Sequence, residues 1–222
     1  MPLPSPLYVI LDREVARGRA LPELLGAVLA GGCRLVQLRE KTLPMAELLP
    51  LARELQARCR AAGARFIVND RADLALAAEA DGLHVGQDDL PAAAARRLLR
   101  PGMILGVSTH DEAQARLALA DGADYVAVGS MFPTGSKVGF QLVGPELLRR
   151  VRPLISVPLV AIGGITEANV AEVIRAGADA VAVISAVCGA PDPAAATARF
   201  LEAIARARAG GGGPLTEEQK PI

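Results

Sequence analysis

The stretch ADGADYVAVGS, residues 120–130, decides the fold, because it joins the end of a helix to a turn and an apolar strand. The Ala- and Leu-rich residues before it follow Asp111, a residue type that caps helices. Gly122 suits the left-handed backbone that commonly ends a helix. Residues 125–130 are nearly all apolar, as in parallel strands buried on both faces. The stretch therefore predicts a helix, a tight turn and a buried parallel strand.

The same unit recurs along the chain. Small-residue turns like that at 120–122 also occur at residues 30–32, 80–82 and 176–178, and helical segments are predicted at 45–62, 111–120 and 167–176. The predicted strands are residues 7–12, 35–40, 65–70, 82–86, 103–109, 125–130, 158–164 and 180–185. Such α/β alternation with eight strands fits a closed (β/α)8 TIM barrel better than an open doubly wound sheet. We expect one domain over residues 1–209, and a disordered tail over residues 210–222, where four glycines and two prolines cluster.

Composition limits the classes of function. The chain has 222 residues, of which 51% are hydrophobic and 22% charged, which excludes a disordered protein. Its 24 basic and 24 acidic residues balance, so nothing global attracts nucleic acid or an anionic membrane. Because neither a secretory signal nor a membrane span is evident, we expect a cytoplasmic protein. Cys33, Cys59 and Cys188 are far apart and are expected in the core.

The second strand ends in an unusual run of polar residues, 37–41. Gln37, Arg39 and Lys41 alternate with other residues and so share one face of the strand. Barrels of this kind carry their active sites at the carboxyl ends of the strands. An amide, a guanidinium and an ammonium placed there predict an anion-binding site. The alternative is a solvated strand end whose cations pair with Glu40 and other carboxylates.

Two acidic residues follow neighbouring strands. Asp70 ends the third strand after Asn69, and Asp89 follows the fourth strand, so both are expected at the barrel mouth. Two carboxylates completed by water and phosphate oxygens are a suitable site for Mg²⁺. The alternative is that Asp70, and Asp88 or Asp89, only cap the helices that follow.

Three further strand ends suggest phosphate binding. The loop at residues 129–137 combines glycines, hydroxyl groups and Lys137, which can hold a phosphate, although a flexible surface loop would have a similar composition. Residues 163–166 and 184–186 follow the seventh and eighth strands, where barrels commonly bind phosphate, although the glycines could simply form a tight turn. His84 is expected to be a satisfied core histidine, and His110 a residue at a helix start.

The strand ends and loops of this chain carry six short motifs. They are, in order, Gln-x-Arg-x-Lys from Gln37, Asn69-Asp70, His-x-Gly-Gln-x-Asp from His84, Gly-Val-Ser-x-His from Gly106, Phe-Pro-Thr-x-Ser-Lys from Phe132, and Gly-Gly-Ile from Gly163. Taken in this order, they resemble the motifs of thiamine phosphate synthases. The resemblance covers roughly residues 7 to 205. Two departures concern the loop: Ser136 stands where the family usually has a threonine, and residues 141–144 differ from the usual sequence.

The resemblance implies a transferase of thiamine biosynthesis that joins a hydroxymethylpyrimidine diphosphate to a thiazole phosphate, or its carboxylate, and releases pyrophosphate. It assigns the pyrimidine diphosphate to six residues: Gln37, Arg39, Lys41, Asn69, Ser108 and Lys137. Of these, Arg39, Lys41, Ser108 and Lys137 are the expected catalytic residues. It assigns Mg²⁺ to Asp70 and Asp89. It assigns the thiazole phosphate to five residues: Thr134, Ser136, Gly164, Ile184 and Ser185.

A dissociative reaction fits these residues, because the aminopyrimidine ring can delocalise the cation that remains after pyrophosphate leaves. Such a path needs charge neutralisation by Mg²⁺, Arg39, Lys41 and Lys137 rather than a protein nucleophile. Two alternatives stay open: a thiazole tautomerase of the same fold, and a non-catalytic sensor of thiamine precursors. The sequence also leaves open the oligomeric state, a homo-oligomer included, and the form of the thiazole substrate.

Overall fold

The computed structural model describes residues 2–133 and 142–210 and contains a closed barrel of eight parallel strands in sequence order. This architecture confirms the predicted (β/α)8 fold. Each strand pairs in parallel with its two sequence neighbours, and β8 pairs with β1. The strands are β1 Leu7–Asp12, β2 Leu35–Arg39, β3 Arg65–Asn69, β4 Gly82–Val85, β5 Ile104–Thr109, β6 Tyr125–Val128, β7 Leu159–Ile162 and β8 Ala180–Val183.

Helices follow every strand and cover the barrel. They are α1 Leu21–Ala30, α2 Met45–Ala61, α3 Ala72–Ala77, α4 Ala92–Leu98, α5 Glu112–Ala120, α6 Pro145–Val151, α7 Val170–Arg175, α8 Ser185–Cys188 and α9 Pro193–Ala209, with a 3-10 turn at Arg152–Leu154. Asp111 caps α5 as expected, because its side chain accepts from Gln114 N–H. Helix α7 begins later than predicted, since the Asn169 side chain accepts from Thr166 N–H and forms a turn before it. None of the described helices is long and apolar enough to span a membrane.

Two apolar clusters make up the core. The larger one lies between strands and helices and includes all three cysteines, which are buried as predicted. The smaller one fills the lower part of the barrel and includes Tyr8, Ile67 and Tyr125. Alternate residues of each strand therefore face opposite cores, as the near-continuous apolar runs indicated.

Aspartates at the amino ends of three strands form hydrogen bonds with the strand that precedes each of them in the barrel. The N–H of Asp124 donates to the carbonyl of Leu105, and an Asp124 carboxylate oxygen accepts from Leu105 N–H and from Arg96. Asp81 and Asp179 repeat this arrangement on β3 and β7. The carboxylates thus continue the strand pairing beyond its regular end.

The small-residue turns have two different structural reasons. Gly122 has φ +88°, so it supplies the left-handed backbone predicted for a helix end. Gly82, by contrast, does not: it is the first residue of β4, and a Cβ there would lie 2.4 Å from the Ile104 carbonyl oxygen. The sequence interpretation was therefore wrong for Gly82, where glycine permits close packing of two strands rather than a turn.

We predict that Gly82→Ala lowers the free energy of unfolding by about 1–3 kcal/mol, because the added methyl group meets backbone that cannot move away easily. Gly26→Ala is the control, since no atom lies near a Cβ at this position in α1; it should raise stability by about 0.5–1 kcal/mol. Urea unfolding measures both. Equal stability of the two variants would contradict the close-packing role.

Candidate active site

A chain of buried hydrogen bonds crosses the barrel interior below its mouth. Gln37 Nε2 donates to the Tyr8 hydroxyl (2.7 Å), which lies 2.9 Å from the Tyr125 hydroxyl. That hydroxyl lies 2.8 Å from His84 Nδ1, and His84 Nε2 lies 2.8 Å from Ser108 Oγ. Five strands, β1, β2, β4, β5 and β6, each contribute one side chain. We call this set the polar floor.

The direction of donation along the polar floor follows from counting protons. Because Gln37 donates to Tyr8, the Tyr8 hydroxyl donates its own hydrogen bond to the Tyr125 oxygen. The Tyr125 hydroxyl then donates to His84 Nδ1. Neutral His84 therefore carries its proton on Nε2 and donates to Ser108. Ser108, which is half-buried, keeps its own hydroxyl proton for a partner above the floor.

Burial keeps the floor uncharged. It lowers the pKa of His84 to about 4, against a smaller opposing effect of Asp89, and it raises the pKa of Tyr125 well above its ordinary value. The His84 and Tyr125 rings stack, with centroids 5.5 Å apart. Gly106 makes room for this stack, since a Cβ there would lie 2.0 Å from the Tyr125 ring.

The sequence indicated only part of the floor. It singled out Gln37 and Ser108, and it predicted correctly that His84 is buried and satisfied. It did not identify Tyr8 or Tyr125. A signal was present: these are the only two tyrosines of the chain, and each lies next to aliphatic strand residues.

At the rim above the floor, basic residues at the carboxyl ends of β1 and β2 already have acidic partners. Arg39 Nη1 donates to Asp12 Oδ2, and Asp12 is the last residue of β1. One residue further on, Arg13 Nε donates to Glu40 Oε2 over 2.9 Å. Burial of Glu40 would raise its pKa, but hydrogen bonds from Thr42 and the next residue, with the Arg13 charge, hold that pKa below its ordinary value. The alternative of a carboxylate-paired strand end is thus realised in part, although Arg39 pairs with Asp12 and not with Glu40.

Asp70 and Asp89 come together at the rim beside Lys41. Lys41 Nζ lies 3.5 Å from Asp70 Oδ2, and Asp89 Oδ2 accepts from Gly86 N–H over 2.7 Å. Burial raises the pKa of Asp70 to about 6, together with a hydrogen bond that the protonated Asp70 carboxyl donates to Asp89 and repulsion by the Asp89 carboxylate, although Lys41 opposes the shift. Asp70 also has a left-handed backbone, φ +62°, uncommon outside glycine. Two carboxylates held this close are a donor set that a divalent cation would stabilise.

The alternative role of these aspartates as helix caps is wrong. Helix α3 begins after Arg71 and helix α4 after Pro91, and neither start has a side-chain cap. Asn69, by contrast, lies where the sequence placed it: it is half-buried at the end of β3, in register with His84.

The glycines after β7 pack against the segment that follows β6. A Cβ on Gly163 would lie 1.9 Å from Ser130 Oγ, and one on Gly164 would lie 2.6 Å from the carbonyl oxygens of Phe132 and Pro133. Both glycines have positive φ. Close packing therefore already requires these glycines, and the assignment of phosphate to Gly164 stays a prediction.

His110 lies directly before the cap of α5, as predicted, and its Nδ1 contacts the Gly129 carbonyl oxygen over 2.5 Å. Ile184 is the residue before α8, and Ser185 begins that helix. Their role in binding a phosphate also stays a prediction. The expected phosphate-loop residues Thr134, Ser136 and Lys137 lie outside the described residues, as does the predicted tail beyond Gly210.

Comparison with known proteins identifies the family. A model described as thiamine monophosphate synthase matches residues 7–187. The chain belongs to the thiamine monophosphate synthase family. A thiamine-phosphate synthase of Moorella thermoacetica is 54% identical over 91% of this chain and 97% of the relative, and one of Methanoculleus marisnigri is 49% identical over 92% and 98%. The solved thiamine phosphate pyrophosphorylase from Pyrococcus furiosus superposes with a TM-score of 0.84 at 37% identity, covering 90% of this chain and 96% of that one. The family and the activity predicted from the sequence are thereby confirmed.

The low pKa of His84 implies that the free energy of unfolding depends on pH. The unfolded chain binds a proton on this histidine below about pH 6.5, whereas the folded chain does so only near pH 4. Stability should therefore fall as pH falls from 6.5 to 4, by about 3 kcal/mol from this group alone. In His84→Gln the fall should be smaller by that amount, while His110→Gln, the control, should keep it. Urea unfolding at several pH values measures this; an unchanged pH slope in His84→Gln would contradict the assignment.

Proposed function

We propose that this protein condenses 4-amino-2-methyl-5-hydroxymethylpyrimidine diphosphate with thiazole phosphate to form thiamine phosphate and pyrophosphate, or with the thiazole phosphate carboxylate to form the same products and CO2. The observation that carries the proposal is the carboxylate pair of Asp70 and Asp89 beside Lys41 and close to the strand that carries Arg39. A magnesium diphosphate suits this site, because the cation would relieve the repulsion between the two carboxylates and the diphosphate would be attracted by the basic residues beside them.

Asp70 and Asp89 are the residues that would hold the magnesium ion. This ion keeps several waters and is commonly bound by one or two carboxylates together with substrate phosphates, which fits a site of two carboxylates. When bound, it would neutralise charge on the diphosphate oxygens. Arg39 and Lys41 reach the same rim from β2, and we assign Asn69 and Lys137 to the same group on the strength of the family motifs.

The polar floor suits the pyrimidine ring. It is uncharged and aromatic at Tyr125 and His84, and the Gln37 amide and the Ser108 hydroxyl are its groups that could hydrogen-bond to ring atoms. With the ring on the floor, its diphosphate would extend toward the rim. A neutral floor also suits a ring that must become electron-poor, because a charged histidine below it would oppose the developing cation.

The reaction then follows a dissociative course. The bond between the methylene carbon and the diphosphate oxygen breaks, its electron pair leaves with pyrophosphate, and the aminopyrimidine ring delocalises the cation. The lone pair of the thiazole nitrogen forms the new carbon–nitrogen bond. Arg39, Lys41 and Lys137 stabilise the departing charge, and Ser108 fixes the ring. Thr134, Ser136, Gly164, Ile184 and Ser185 are proposed to hold the thiazole phosphate.

Purified protein incubated with both precursors and Mg²⁺ tests the proposal, with thiamine phosphate followed by its fluorescence after oxidation. Product that disappears on chelation supports the synthase. Isomerisation of the thiazole carboxylate without condensation would instead indicate the tautomerase, and binding without either reaction would indicate the sensor. A cytoplasmic location stays a prediction.

In the same assay, we predict that Asp70→Asn and Asp89→Asn each raise the Mg²⁺ concentration for half-maximal rate by at least about tenfold, because each removes one carboxylate ligand. Asp88→Asn is the matched control, since this neighbouring aspartate is exposed, and it should leave the Mg²⁺ requirement unchanged. A metal requirement unaffected by both ligand variants would place the ion elsewhere.

A further inference from the structure

Asp12 is an acidic residue at the rim where the diphosphate is proposed to bind, a position that is electrostatically unfavourable for a carboxylate. Its side chain is almost fully buried at the end of β1, in register with Arg39 at the end of β2. A carboxylate here repels an anion bound at the same rim, so attraction of the substrate does not explain it. Its contacts give a different explanation.

The two carboxylate oxygens of Asp12 bind two different parts of the molecule. Oδ2 accepts from Arg39 Nη1, and Oδ1 accepts from the backbone N–H of Glu14 over 3.0 Å. The backbone contact fixes the carboxylate, and the carboxylate in turn fixes one edge of the Arg39 guanidinium. A guanidinium is a rigid planar fork, so holding one nitrogen orients its other N–H groups as well.

We propose that Asp12 is a positioning residue for the transfer reaction, which acts by holding the Arg39 guanidinium in the orientation needed by the departing pyrophosphate. The inference rests on the proposed function, since Arg39 must contact the diphosphate. Orientation matters most in the transition state, where a small misplacement of a charge-stabilising group lowers the rate strongly. The negative charge of Asp12 slightly weakens binding of the diphosphate substrate. Loss of Asp12 should therefore lower kcat without raising KM.

Asp12→Asn in the full chain tests this, because asparagine keeps the shape and removes the charge. We expect kcat to fall by about tenfold or more, with KM for the pyrimidine diphosphate unchanged or lower. Asp179→Asn is the control: the Asp179 side chain also accepts from one arginine and one backbone N–H, but at the opposite end of the barrel. It should keep the wild-type kcat, whatever its effect on thermal unfolding.

A double-mutant cycle shows whether Asp12 acts through Arg39. In an Arg39→Ala background, Asp12→Asn should cause no further loss of kcat, and an independent further loss would overturn the proposal. If Asp12→Asn does not fold, Asp12→Ser replaces it, since serine can still accept from Glu14 N–H but no longer reaches Arg39.

The outcomes separate this inference from the proposed function. If the wild-type protein makes no thiamine phosphate, the proposed function fails first. If the wild-type protein is active and Asp12→Asn keeps its kcat, or changes KM alone, the positioning role is overturned while the function stands.

Discussion

The hydrogen-bond chain from Gln37 to Ser108 is the constraint on which the rest of the site depends. Five polar side chains inside a barrel are costly unless every donor finds an acceptor, and here each hydroxyl and ring nitrogen has a partner. These hydrogen bonds close the barrel below its mouth and set the depth at which a flat ring can lie, while burial keeps His84 neutral. Gly106 belongs to the same constraint, because without its missing Cβ the central Tyr125 would not fit.

The rim differs from the floor because it concentrates charge and leaves it partly exposed. Arg39 has Asp12 and Lys41 has Asp70, so the site is close to electrically balanced before a ligand arrives. The two carboxylates nevertheless have different roles in the account. Asp12 is buried and fixed by backbone, which suits orientation, whereas Asp70 lies against Asp89, which suits a cation. Magnesium diphosphate would therefore release Lys41 from Asp70 while leaving Arg39 fixed.

The sequence predicted the barrel because each of the eight apolar runs and the turns before them can be recognised from residues that are adjacent in the sequence. It also predicted the rim, since Arg39, Lys41, Asp70 and Asp89 lie at the carboxyl ends of strands or within a few residues after them. It could not predict pairings across the barrel. Which carboxylate meets Arg39 depends on the register of β1 against β2, and which side chain meets His84 depends on β4, β5 and β6 together. The role of Gly82 was misjudged for the same reason, because its neighbours come from other strands.

The most direct test of the central claim is a crystal structure of the protein with the pyrimidine diphosphate and Mg²⁺, without the thiazole. We expect the pyrimidine ring on the polar floor, the diphosphate against Arg39 and Lys41, and the metal bound by Asp70 and Asp89 at roughly 2.1 Å. A metal with neither aspartate among its ligands, or a diphosphate bound away from Arg39, would contradict this binding mode.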